Sequence, residues 1–171
     1  MHLSTSNIQG RKVSSLSLFI KKVVCYGQIL VPGAAMNYAE ISKETIGFLY
    51  QSRASLNKSP LNAAIRIIAE LRVSQINGCA YCCRLHTDEA KNLGLEQEKI
   101  NHLSIWRNSS SFTEEEKIVL KWVESVTSLD QDIERNKEEL RTIYSDRQIV
   151  DLTACIAIMN ALNRIVISLK N

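Results

Sequence analysis

The chain has 171 residues and a formal net charge of +3; 45% of its residues are hydrophobic and 23% are charged. This length suits one domain of ordinary globular composition, and only two prolines and six glycines argue against a turn-rich β-sandwich, collagen or a disordered chain. No run approaches the roughly 18 consecutive apolar residues of a membrane span, so we expect no membrane partner.

The basic excess lies entirely in the first 35 residues. They hold four of the 21 lysines and arginines and none of the 18 acids, which leaves a net charge of −1 for residues 36–171. That remainder has no basic surplus for binding nucleic acid. We interpret residues 1–35 as a basic extension, or as the product of a start set too early with Met36 as the true start. A secretory or organelle targeting peptide is the alternative, and Tyr26 and Gln28 in its apolar stretch disfavour secretion.

From residue 36 onward, apolar residues recur at three- and four-residue steps, a spacing that predicts helices. No stretch shows the period-2 alternation of a strand, so residues 36–171 are predicted to form one all-α domain. The predicted helices, about six or seven in number, cover about 38–56, 60–76, 79–92, 96–107, 113–129, 136–144 and 146–168.

Short polar signals mark the predicted helix ends. Ser59 and Pro60 predict an N-cap and a first helical residue. Capping boxes are predicted over Thr113–Glu116 and Ser145–Gln148, and Gly94 is a natural helix end. The last helix is apolar nearly all round, which is typical of a helix in the core or at a subunit interface.

Three cysteines and a histidine lie close together in the sequence: Cys79, Cys82, Cys83 and His86. At 100° per residue, Cys79, Cys82 and His86 share one helix face, whereas Cys83 points about 100° away from Cys82. The break at Asn77-Gly78 puts Cys79 in the first turn, where unpaired N–H groups stabilise a thiolate. The pattern therefore predicts a redox dithiol with an adjacent proton carrier.

Other uses of these cysteines are less favoured. Zinc needs four ligands, and a C-x-x-C pair with one histidine supplies three, so we expect no metal. A structural disulfide disagrees with an odd cysteine count and the lack of a convincing secretory signal. Cys25, Cys83 and Cys155 are interpreted as small apolar side chains.

The stretch Leu71–Thr87 resembles the AhpD-like alkylhydroperoxidases of the carboxymuconolactone decarboxylase superfamily. The resemblance covers about residues 38–168 and continues through Glu89-Ala90, Trp106-Arg107, Phe112–Glu116, Asp151–Thr153 and Asn160–Arg164. It implies an all-helical fold, a C-x-x-C dithiol and peroxide reduction through a disulfide.

The resemblance also implies a role for each site residue. Cys82 is the thiolate that attacks peroxide, Cys79 the resolving thiol and His86 part of the proton relay. The helix-terminus argument instead favours Cys79 as the more acidic thiol. We follow the resemblance and assign the attack on peroxide to Cys82. The family often places a glutamate twelve residues before the first cysteine, where this chain has Ile67. Glu70, about 60° round the same helix, either substitutes as the base or pairs with a basic residue at the surface.

A second departure from the family is Tyr81, since the best-known members carry a histidine just before the second cysteine. A phenol is a poor base at neutral pH. Both departures lower the expected peroxidase turnover, and disulfide exchange remains chemically possible.

These features predict a thiol-dependent peroxidase or disulfide reductase of antioxidant defence that needs no cofactor. We expect a hydroperoxide substrate, an external dithiol or disulfide-reductant protein, and a cytoplasmic homo-oligomer (dimer, trimer or hexamer). One alternative is a non-enzymatic redox-sensing or oligomeric scaffold protein with a cycling dithiol. Another is a decarboxylase acting on a cyclic acid, but that chemistry needs no C-x-x-C pair.

Overall fold

The computed structural model describes residues 36–169, and within them it contains helices and no strand. The basic segment of residues 1–35, predicted to be an extension, lies outside the described residues, as do residues 170 and 171. The α-helices are α1 (Tyr38–Ile41), α2 (Lys43–Ser55), α3 (Ala63–Ile76), α4 (Ala80–Asn92), α5 (Gln97–His102), α6 (Glu114–Ser128), α7 (Ile133–Arg141) and α8 (Asp146–Leu169). The all-α prediction is confirmed.

The described part of the chain has eight α-helices where the periodicity predicts six or seven. The predicted first helix is divided into α1 and α2 at Ser42 and ends in a 3₁₀ turn over Leu56–Lys58. The helix predicted over 96–107 becomes 3₁₀ after His102. The short helix predicted over 136–144 begins earlier and spans Ile133–Arg141.

The predicted start of α3 at Ser59 and Pro60 is wrong. The N-cap is Asn62, whose side-chain oxygen accepts a hydrogen bond from the Ala64 N–H at 2.7 Å. The Ser59 hydroxyl donates to Asp151 of α8 at 2.6 Å, and its oxygen accepts a hydrogen bond from the Leu61 N–H at 3.1 Å. Ser59 therefore caps a local bend that does not continue into the helix, and a second good capping residue starts the helix three positions later.

Both predicted capping boxes are present. Thr113 N–H donates to Glu116 at 2.9 Å, and Glu116 N–H donates back to the Thr113 hydroxyl at 3.2 Å. Ser145 and Gln148 exchange the equivalent pair of bonds at 3.1 and 3.4 Å. Each box satisfies two N–H groups that the helix itself leaves without partners.

The main core lies where α3, α6 and α8 pack together, with α2 and α7 at its edges. Helix α8 is long and apolar enough to cross a membrane by length and composition, as the core helix of a soluble protein also is. In this structure its Leu152 and Ile156 are fully buried in the core. Helix α8 therefore lies in the core, one of the two placements that its apolar sequence predicts.

The turn between α3 and α4 is anchored to α8. Gly78 has φ of +69°, in the left-handed region that favours glycine. The Asn77 side-chain amide donates to Asn160 at 2.9 Å and to Asn163 at 3.0 Å. Asn163 is fully buried and donates in turn to Ser74 of α3 at 3.2 Å. These bonds fix the point at which α4 begins, and with it the cysteine pair.

Candidate active site

The C-x-x-C pair lies at the start of α4 and forms a disulfide. Cys79 is the N-cap residue of α4 and Cys82 lies in its first turn, with a Cα–Cα distance of 5.3 Å. The Cys79 sulfur accepts a hydrogen bond from the Cys82 N–H at 3.4 Å. One N-terminal N–H group of α4 therefore points at the Cys79 sulfur, in agreement with the helix-terminus argument.

The disulfide is buried, with 1% of Cys79 and 4% of Cys82 exposed. The side chains of Tyr38, Tyr81 and Val166 pack around it. Tyr38 belongs to α1, a four-residue helix that has no buried residue of its own. An aromatic and aliphatic cover therefore separates the sulfur atoms from bulk solvent.

The other cysteines of the described region do not take part in this bond. Cys83 and Cys155 are free thiols. Burial raises the pKa of the Cys83 thiol, which lowers its reactivity as a thiolate at neutral pH. Cys83 packs beside the apolar cluster under α4, in agreement with its interpretation as a small apolar side chain.

His86 lies one turn after Cys82, is 2% exposed, and is oriented by a carboxylate of its own helix. Its Nδ1 is 2.8 Å from Oε2 of Glu89. Burial alone would raise the Glu89 pKa, but hydrogen bonds from His86 and Arg53 and their charges outweigh burial and lower it. A carboxylate can only accept, so Nδ1 carries the hydrogen of this bond, which leaves Nε2 as the acceptor atom of a neutral ring.

Glu70 of α3 lies beside the same histidine and is 1% exposed. Its Oε2 is 3.6 Å from His86 Nδ1. Its Oε1 accepts a hydrogen bond from the Cys155 thiol at 3.5 Å. Position 67, where the family pattern expects a glutamate, is an isoleucine buried in an apolar cluster with Trp106. The α3 carboxylate at this site is therefore that of Glu70.

Arg53 of α2 links the two carboxylates. Its Nε and Nη2 donate to the two oxygens of Glu70 at 3.1 and 2.6 Å. Nη2 also donates to Oε2 of Glu89 at 2.7 Å. Burial alone would lower the Arg53 pKa, but the charges and hydrogen bonds of Glu70 and Glu89 raise it above its usual value. We call Arg53, Glu70, His86 and Glu89 the relay cluster.

The relay cluster also contains the donor atoms of a possible metal site. Single ligand atoms of Glu70, His86 and Glu89 lie within 4.8 Å of one another. Both carboxylates are already bound by the Arg53 guanidinium. A divalent cation would have to displace or repel that guanidinium, so the chemistry of the donor set favours an ion-paired cluster over a metal centre.

The structure joins Cys79 to Cys82, places His86 one turn after Cys82 on the same helix, and brings Glu70 to 3.6 Å from His86. Glu70 pairs with a basic residue, as one prediction held, but it does so in the interior and beside His86. Sequence reasoning missed Arg53 and Glu89. Glu89 had a signal, since residues three apart on a helix are neighbours. Arg53 had none, since its contact depends on how α2 packs.

The chain was compared with known protein families and sequences. Residues 44–125 match the model of the carboxymuconolactone decarboxylase family. The uncharacterized protein YdfG of Bacillus subtilis is 32% identical over 140 residues, which cover 80% of this chain and 94% of YdfG. The uncharacterized protein YnjA of Escherichia coli is 23% identical over 140 residues, which cover 79% of this chain and 74% of YnjA.

Two solved structures share the fold. One is a protein of unknown function from Agrobacterium tumefaciens, provisionally assigned as the antioxidant defence protein AhpD. It has a TM-score of 0.75 and 34% identity, over 79% of this chain and 94% of that one. The other is an uncharacterized peroxidase-related protein from a Silicibacter species, with a TM-score of 0.67 and 23% identity, over 74% of this chain and 68% of that one.

Proposed function

Because the chain belongs to the carboxymuconolactone decarboxylase family and is AhpD-like, we propose that it is a thiol-dependent peroxidase or disulfide reductase of antioxidant defence. The observation that carries the proposal is the Cys79–Cys82 pair on the helix that also presents His86 with its carboxylates. A decarboxylase would have no use for the dithiol, so we do not favour that activity.

In the proposed peroxidase cycle, the Cys82 thiolate attacks the terminal oxygen of a hydroperoxide. The O–O bond breaks, Cys82 becomes a sulfenic acid, and the departing alkoxide takes a proton to leave as an alcohol. The Cys79 thiol then attacks the Cys82 sulfur, water leaves, and the disulfide forms. An external dithiol returns two electrons and two protons, which restores both thiols. In the disulfide reductase activity, the reduced pair passes its two electrons and two protons to a substrate disulfide instead of a hydroperoxide, and the Cys79–Cys82 disulfide forms again.

His86, one turn after Cys82 on α4, is the proposed proton carrier of this cycle. With hydrogen on Nδ1, Nε2 accepts the Cys82 proton and later returns it to the leaving alkoxide. Arg53 contacts both Glu70 and Glu89, and the three side chains carry a formal net charge of −1. That excess negative charge stabilises the imidazolium that forms when His86 takes the proton. Glu70 and Glu89 thus provide the counter-charge that a buried histidine needs.

The partners follow from this chemistry. The tyrosine and valine cover over the disulfide fits an organic hydroperoxide better than a charged substrate. We place the protein in the cytoplasm, where other dithiols keep such a pair cycling. We further propose a homo-oligomer.

The first test is a thiol count. Reduced protein with five free cysteines should keep three after one equivalent of an organic hydroperoxide, and a dithiol should restore all five. Steady-state peroxide consumption should fall by roughly 100-fold or more in Cys82→Ser and stay unchanged in the matched control Cys83→Ser. Full turnover in Cys82→Ser would show that the mechanism is wrong. A thiol pair that cycles without measurable turnover would favour the redox-sensing alternative.

A further inference from the structure

The two carboxylates beside His86 are not equivalent. Glu89 lies at hydrogen-bonding distance from Nδ1, at 2.8 Å, whereas the nearest Glu70 oxygen is 3.6 Å away. Both oxygens of Glu70 accept from Arg53, and one also accepts from the Cys155 thiol. Glu70 is therefore held by other groups, and Glu89 is the carboxylate that binds the ring.

Glu89 needs support to stay in this position. Its side chain is 29% exposed, so an unrestrained carboxylate could turn towards water. Arg53, with 16% of its side chain exposed, donates to Glu89 from the nitrogen that also binds Glu70. The guanidinium therefore ties the exposed carboxylate to the buried one and holds it against His86.

From this geometry we infer that Glu89, held in place by Arg53, is the positioning residue that selects the His86 tautomer able to take a proton from Cys82. In water a neutral imidazole side chain favours the tautomer with hydrogen on Nε2, which can only donate from that atom. Glu89 accepts a hydrogen bond from Nδ1, and this bond reverses that preference. The assignment of Cys82 as the proton donor rests on the proposed function; the tautomer assignment does not.

The tautomer can be read directly by NMR. In full-length protein labelled with ¹⁵N-histidine, two-bond ¹H–¹⁵N spectra report which nitrogen of His86 carries hydrogen, with His2 and His102 as internal references. Spectra are taken at a pH at which the ring is neutral. We expect the Nδ1–H form in wild type and in Glu70→Gln, and the Nε2–H form in Glu89→Ala. In Glu89→Gln the amide oxygen can still accept, so the Nδ1–H form should persist.

Two results would overturn the inference. One is an unchanged Nδ1–H tautomer in folded Glu89→Ala; the other is a switch to Nε2–H in Glu70→Gln, which would make Glu70 the positioning residue. Circular dichroism and the His102 signals establish that each variant is folded.

Kinetics separate this inference from the proposed function. The second-order rate constant of reduced protein with hydroperoxide should fall by roughly 100-fold in Glu89→Ala, within the range of a lost general base, and recover in part in Glu89→Gln. A tautomer switch in a protein that consumes no peroxide would support the inference and contradict the function. Wild-type peroxide kinetics in Glu89→Ala, despite the switch, would show that tautomer selection by Glu89 does not serve Cys82.

Discussion

The Arg53→Met variant should lose about 3–5 kcal/mol of unfolding free energy at pH 7, the usual effect of breaking a buried ion pair from one side. Glu70 is 1% exposed, and among the described residues its side chain would keep the Cys155 thiol as a hydrogen-bond donor, with the His86 ring 3.6 Å away. Glu89 is 29% exposed and can be hydrated, so its share of the loss should stay below about 1 kcal/mol.

The loss of stability in Arg53→Met can also be estimated from protonation. A buried carboxylate without its cation can take up a proton instead of staying charged. In the unfolded chain a glutamate has a pKa of about 4.3, so protonation costs about 3.7 kcal/mol at pH 7, at about 1.36 kcal/mol per pH unit. At pH 5 the same step costs about 1 kcal/mol. The loss caused by Arg53→Met should therefore shrink markedly as the pH falls from 7 to 5.

Urea unfolding at both pH values measures these losses, with the disulfide intact and at several protein concentrations. The double variant Arg53→Met, Glu70→Gln should recover most of the stability at pH 7, since no unpaired charge remains. Arg141→Met is the matched control, because its partners Glu138 and Asp146 are both exposed and each pair is worth about 0.5 kcal/mol or less. An equal loss at pH 7 and pH 5 would refute the reasoning and assign the effect to lost packing.

Three further predictions test other parts of the structure. Because its pKa is lowered, the pairing of Glu89 stabilises the fold above the ordinary carboxyl pKa, and this stability is lost as the pH falls through the pKa of the folded state. In an acid titration, the unfolding free energy of Glu89→Gln should therefore decline less steeply below about pH 5 than that of wild type. Tyr38→Ala should speed reduction of the Cys79–Cys82 disulfide by a dithiol several-fold, as followed by alkylation and mass spectrometry, whereas Tyr38→Phe, which keeps the ring, should react as wild type does. Gly78→Ala should lower the unfolding free energy by about 1 kcal/mol in urea titrations, because an alanine is strained at a φ of +69°. A steric clash does not contribute, since an added Cβ meets no atom within 4 Å.

Local signals predicted the fold wherever the chain itself supplies the partner. The Thr113–Glu116 box joins residues three apart, and Gly78 takes its left-handed conformation within one turn. The Ser59 prediction failed because the Ser59 hydroxyl, bound to Asp151 92 residues away, caps only a bend at Leu61 before the helix begins. Helix ends are predictable from sequence until a tertiary contact holds the capping residue outside the helix.

The same distinction applies to the site. Cys79, Cys82 and His86 lie on one helix, so their spacing alone predicts that they share a face. Glu89 lies on that helix too, three residues after His86, so the same spacing argument predicts that the two side chains are neighbours. Arg53 stands in a polar stretch of α2, where a basic residue usually faces solvent. Only the tertiary position of α2, which packs against α8, brings Arg53 to the two glutamates.

The isoleucine at position 67 explains why the site needs an arginine at all. Its side chain lies in the apolar cluster with Trp106, so the α3 carboxylate reaches the site from Glu70, almost one turn later. That carboxylate then meets a second one, Glu89, and one oxygen of each lies near His86 Nδ1, at 3.6 and 2.8 Å. Adjacent carboxylates repel each other, and a cation that binds both offsets that repulsion. Arg53 binds both, which leaves one formal negative charge for the His86 imidazolium.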